Sequence, residues 1–102
     1  MIKFNKFGVE KYNNQRLNKN DWIIYPVCNG ESPYYFNNDC CFMVSKIKKV
    51  NVDAVKAKEY VPLGRLPKNQ KKFKKTLVHK NEILFIIADY KLFIKNNAEY
   101  FV

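Results

Sequence analysis

This chain is short of several residue types at once. It has three glycines, a single histidine, two arginines (Arg16 and Arg65) and an odd set of three cysteines, and its longest apolar run is only Ile83 to Ala88. Gly8, Gly30 and Gly64 are too widely spaced for a P-loop or a dinucleotide-binding fingerprint, which hold phosphate on clustered glycine backbone. The apolar run falls far below the roughly 20 residues that cross a bilayer, and the N-terminal residues carry no apolar signal core. No membrane association is expected, and a cytoplasmic location follows, the host cytoplasm if the protein is viral. Cys40 and Cys41 are adjacent and cannot easily bond to each other, which leaves Cys28 and argues against a disulfide framework. A metal site would call for a C-x-x-C pair or more histidine than His79, so neither a metal nor another cofactor is expected.

Catalytic groups are equally sparse. His79 is the one candidate acid or base, able in principle to cleave RNA with lysines steadying the phosphorane, but no second titratable partner stands beside it. Asp21, Asp39, Asp53, Glu59, Glu82 and Asp89 are dispersed and suggest no two-metal nuclease. No catalytic residue is assigned, and a ribonuclease using His79 is the minor reading.

What the chain does have is positive charge, concentrated in its middle. Residues 41–80 hold twelve Lys and Arg against Asp53 and Glu59, a surplus of +10, whereas residues 1–40 sum to +1 and residues 81–102 to −1. Scattered lysines would serve solubility without the self-repulsion that this crowding costs, so the pattern points to a polyanion, DNA or RNA first. With few arginines, bidentate reading of base edges has little to work with, and contact with the phosphate backbone is expected to dominate. The expected positive surface comprises Lys46, Lys48, Lys49, Arg65, Lys68, Lys71, Lys72, Lys74 and Lys75. Phe73 lies among four of these lysines and can stack on a base or anchor its loop to the core; Tyr34 and Tyr35 are further stacking candidates.

Hydrophobic content of 47% and aromatic content of 16% suffice for one domain over residues 1–102, with a basic loop at about 65–76. Ile2, Phe4, Phe7 and Val9 suggest a first short strand, and Asp21 to Tyr25 a stronger one that ends before the turn signals Asn29-Gly30 and Pro33. Tyr34 to Phe36 reads as a short aromatic strand, Cys40 to Val50 as a strand with a bulge near Ser45, and Thr76 to His79 as another. Between them Val52, Val55 and Tyr60 fall near one helical face, Asn51 or Asp53 can cap it, and Ala54 and Ala57 favour it. A short helix is therefore predicted near 52–60, stopping by Val61 ahead of Pro62. Residues 82–96 fit a helix through Ile83, Ile86, Ile87, Tyr90 and Ile94. Their β-rich composition, with Asp89-Tyr90 as a hairpin tip, favours two strands.

The segment Asn20-Asp21-Trp22-Ile23-Ile24-Tyr25-Pro26-Val27 resembles the first strand of SH3-like barrels, notably the polymerase-binding domain of CarD-type transcription regulators, with Asn20 where that family has glycine. The resemblance spans these residues alone and implies a small curved sheet. The expected fold is thus α+β and β-rich: a small, strongly bent antiparallel sheet or partly open SH3-like barrel with one short helix. Its expected core is Trp22, Ile24, Val44, Ile47, Val55, Leu77, Ile83, Phe85 and Ile87.

The leading expectation is a small non-enzymatic accessory protein that binds nucleic acid mainly through the phosphate backbone. A composition rich in Asn, Lys and Ile suits a phage or mobile-element origin. The alternative is a modulator that docks its basic face on an acidic patch of a host polymerase or defence enzyme.

Overall fold

Six antiparallel strands form the scaffold. The computed structural model describes residues 4–28, 40–63 and 75–100, and the strands within them are β1 (Val9–Lys11), β2 (Trp22–Cys28), β3 (Cys40–Val50), β4 (Ala54–Leu63), β5 (Lys75–His79) and β6 (Phe85–Ile87). Their order across the sheet is β1-β6-β2-β3-β4-β5, so the sheet is open, with β1 and β5 at its edges. One short helix, α1 (Tyr90–Asn96), follows β6. A β-rich antiparallel sheet with a single short helix matches the expected class. No helix among the described residues is long and apolar enough to cross a membrane.

Strands β2 and β6 are apolar at consecutive positions because both faces of the sheet are packed there. Ile23, Tyr25, Met43, Ile47, Val55, Ala57, Val78 and Ile86 gather on one face, where Leu17 and Ile83 join them. On the other face Ile24, Val44, Leu63 and Ile87 meet Phe93 of α1, with Phe4, Trp22, Phe85 and Tyr90 around them. Side chains of successive residues point to opposite faces, so Ile23-Ile24 and Ile86-Ile87 each serve both cores. The first core contains a satisfied polar pair: the Tyr25 and Ser45 hydroxyls share a hydrogen bond of 2.8 Å. The β3–β4 pairing shifts register twice. Between Val44 and Ser45 the extra residue is Tyr60, so that irregularity lies in β4, opposite the position near Ser45 where a β3 bulge was expected. Between Ile47 and Lys49 the extra residue is Lys48 of β3; bulges bend the strand that carries them.

Three expectations need correction. Residues 54–63 form strand β4, not a helix near 52–60: paired with β3 on one side and β5 on the other, the segment alternates Val55 and Ala57 inward with Lys56 and Lys58 outward. Val52, placed on the helix's apolar face, lies in the β3–β4 turn and is 86% exposed. Ladder hydrogen bonds to two neighbours outweigh the helix preference of two alanines, which amounts to a few tenths of a kcal/mol.

In the second correction, Phe85–Ile87 is a strand as expected, but Leu92-Phe93-Ile94 does not return as its hairpin partner; it belongs to α1. The Asp89 carboxylate accepts a 3.0 Å hydrogen bond from the Leu92 N–H and caps the helix, whose spacing then puts Tyr90 and Phe93 on the sheet. Gly8 secures this junction. Its carbonyl accepts from the Ala88 and Asp89 N–H groups, its φ is +79°, and a Cβ there would lie 2.6 Å from the Asp89 carbonyl oxygen.

The third correction concerns the core. Leu77 is 52% exposed, because the inward residue of β5 is its neighbour Val78. Trp22 and Phe85 border the second core and are only half-buried, while Ile24, Val44, Ile47, Val55, Ile83 and Ile87 are buried as expected. Residues 29–39 and 64–74 lie outside the described residues, and with them the predicted strand at Tyr34 to Phe36 and most of the basic loop. Lys75 and Thr76, counted in that loop, belong to strand β5.

Candidate nucleic-acid interface

Strand register brings lysines from three separate segments into one line. Residues directly opposite each other on antiparallel strands share a face. Trp22 pairs with Lys46, Lys46 with Lys58, and Lys58 with Lys75, so β2, β3, β4 and β5 each contribute one residue to a row. In the next row Lys49 faces Lys56, and Lys56 faces Leu77. Neighbouring strands lie about 4.8 Å apart and alternate residues of one strand about 7 Å apart, which roots these lysines on a closely spaced grid of backbone positions. Each lysine in these rows has another lysine, an aromatic ring or an aliphatic side chain across from it, and none has an acid.

Like charges placed directly opposite destabilise a sheet, by up to about 1 kcal/mol per pair. Three such pairs occur side by side here. The stems of Lys49, Lys56 and Lys75 border a shallow depression of about 450 Å³, lined also by Lys48, Ala57, Thr76 and Leu77. The exposed Leu77 contributes an apolar floor to an otherwise cationic surface.

Aromatic rings close the row at its β2 end. Trp22 stacks on Tyr90 of α1, with ring centroids 4.0 Å apart and planes 10° from parallel, and meets Tyr60 edge to face at 4.8 Å. The Lys46 ammonium lies 5.5 Å above the Trp22 ring, and the Lys58 ammonium 5.5 Å above the Tyr60 ring. Both distances fall inside the range at which a cation is held by a ring quadrupole. Partial burial pushes the Tyr90 phenol above its ordinary range, and the neighbouring Tyr60 phenol adds to the effect, so Tyr90 remains neutral well into the alkaline range.

Of the expected site residues, Lys46, Lys49 and Lys75 are brought together in these rows, and Lys48 sits at the bulge beside them. Arg65, Lys68, Lys71, Lys72, Phe73 and Lys74 lie outside the described residues. The helical reading of 52–60 hid Lys56, Lys58 and Tyr60, and Trp22 was assigned to the core. Strict alternation from Val55 to Lys58 is the signal that finds the two lysines. His79 is exposed at the end of β5, where its backbone N–H donates to the Glu82 carboxylate at 3.0 Å, and it borders a separate depression with Asn14, Asp53 and Lys80. Among the described residues, no three of His, Cys, Asp and Glu gather closely enough to hold a metal ion. No family model, curated protein or solved structure matches the chain.

Proposed function

We propose that this protein is a small accessory protein that binds nucleic acid through its phosphate backbone and acts by occupying its ligand, without chemistry of its own. The observation that carries this reading is the in-register row Lys46–Lys58–Lys75, reinforced by Lys49 and Lys56. A polyanion relieves the mutual repulsion of these ammonium groups, so binding removes a cost that the free fold sustains. Lysine acts as a point charge and forms no fork onto base edges, which supports weak sequence selectivity.

The same reading includes an SH3-like arrangement for β2 to β6. It is supported by the meander β2-β3-β4-β5, followed by a 3-10 turn at Lys80–Glu82 and a last strand that returns to pair with β2.

The experiment is a salt titration of binding to a labelled oligonucleotide, followed by fluorescence anisotropy. Five lysines on phosphates predict a log–log slope of about −3.5 on single strands and about −4.5 on duplex. Absence of binding at low salt, or a slope near zero, contradicts the proposal.

A further inference from the structure

We infer that the ligand of this surface is single-stranded nucleic acid, lying across the strands with phosphates on the Lys75–Lys58–Lys46 row and bases on the Tyr60 and Trp22 rings. This inference rests on the nucleic-acid reading above and adds the form of the ligand.

Shape is the first argument. A duplex groove admits one helix or a two-stranded ribbon. The lysines here come from three adjacent strands and Trp22 continues the row onto a fourth, so the surface is too broad to enter a groove. A duplex resting on it would touch the lysines with its outer phosphates and leave the rings unused. A single strand, whose bases are free to turn away from its backbone, engages both.

The rings themselves provide the second argument. On each ring a lysine ammonium lies 5.5 Å from the centroid, Lys46 over Trp22 and Lys58 over Tyr60, and both rings are half-buried, which leaves part of each open to a ligand. Tyr90 backs the other face of the indole, and the edge contact with Tyr60 fixes the angle between the two outer rings. A base stacked on such a ring gains more than an exposed ammonium does, so the base displaces Lys46 or Lys58 and the released ammonium is already beside the backbone phosphate. Stacking accepts any base, which fits a site with no arginine among its described residues.

Trp22 is the chain's only tryptophan, so its fluorescence reports on this position alone. Purified full-length protein is titrated at fixed salt with oligo(dT), with the duplex of oligo(dT) and oligo(dA) of the same length, and with heparin, a polyanion that has no bases. Oligo(dT) is expected to quench Trp22 emission and to bind about tenfold more tightly than the duplex, as one stacked base provides. Tyr60→Leu, which retains an aliphatic contact for Trp22, should lower oligo(dT) affinity about tenfold and leave heparin affinity unchanged. Equal affinity for oligo(dT) and duplex, or Trp22 emission unchanged by oligo(dT), overturns the inference while leaving backbone binding standing. Binding of heparin alone, with neither nucleic acid bound, overturns both. The wild-type titration needs no variant, so poor folding of Tyr60→Leu would not obscure the answer.

Discussion

One row of residues crosses the whole sheet, and its two halves have opposite fates. From the β1 edge it runs Val9, Ile87 and Trp22, lying beneath Phe4 and helix α1; it continues through the half-buried Lys46 to the exposed Lys58 and Lys75. The covered half follows the ordinary rule of burial, with Phe93 fully enclosed. The open half does the reverse, placing like charges opposite one another where an alternating acid would stabilise the pairing. Trp22 stands at the boundary, stacked on the helix and approached by Lys46. The contrast separates what holds the molecule together from what it presents to a ligand, and the two should respond independently to mutation.

Breaking the covered half should have the largest effect. Phe93→Ala empties the space between α1 and the sheet and should cost about 3–5 kcal/mol in urea unfolding, while protein that remains folded retains its salt slope with oligonucleotide. Asp89→Ala removes the helix cap and should cost about 1 kcal/mol in the same measurement. The open half should respond in the opposite sense: Lys46→Gln, Lys58→Gln and Lys75→Gln together should leave stability unchanged or raise it by up to about 1 kcal/mol, even as affinity for oligonucleotide falls. Loss of stability in that triple variant would mean that the lysine stems support the fold. The smallest effect concerns the boundary. Because burial favours the neutral Tyr90 phenol, its contribution is fully present below the ordinary tyrosine value of 10.0 and is lost as pH rises through the higher value of the folded protein. Wild type and Tyr90→Phe should therefore show parallel urea midpoints at neutral pH, with the wild type falling further above pH ~10.

Much of the sheet is legible from local pattern. Strands β2, β3 and β5 follow from alternation and composition, whereas the slip read near Ser45 falls at a register shift whose extra residue, Tyr60, lies on β4. Residues 54–63 were harder because Val52 and Tyr60 imitate a helical period, although one lies in a turn and the other at a strand irregularity. The cost of that misreading was functional, since it separated Lys56 and Lys58 from the lysines they face. At 90–96 the β-rich composition obscured a local signal, an Asp placed just ahead of a helical period. Leu77 and Val78 illustrate a different limit: two adjacent apolar residues cannot both face inward on a strand, and local sequence does not say which one does. The charge surplus of residues 41–80 was visible from the start, but only pairing between distant strands makes it a row.

The central claim is that the Lys46–Lys58–Lys75 row, and not overall charge, holds the phosphates. The most direct test compares two charge-matched triple variants in the oligonucleotide salt titration, Lys46, Lys58 and Lys75 to Gln against Lys11, Lys91 and Lys95 to Gln, the latter three being exposed on β1 and α1. The slope should flatten by about 2 for the first variant and remain unchanged for the second. An equal change in both would contradict a localised site and reduce the binding to net charge.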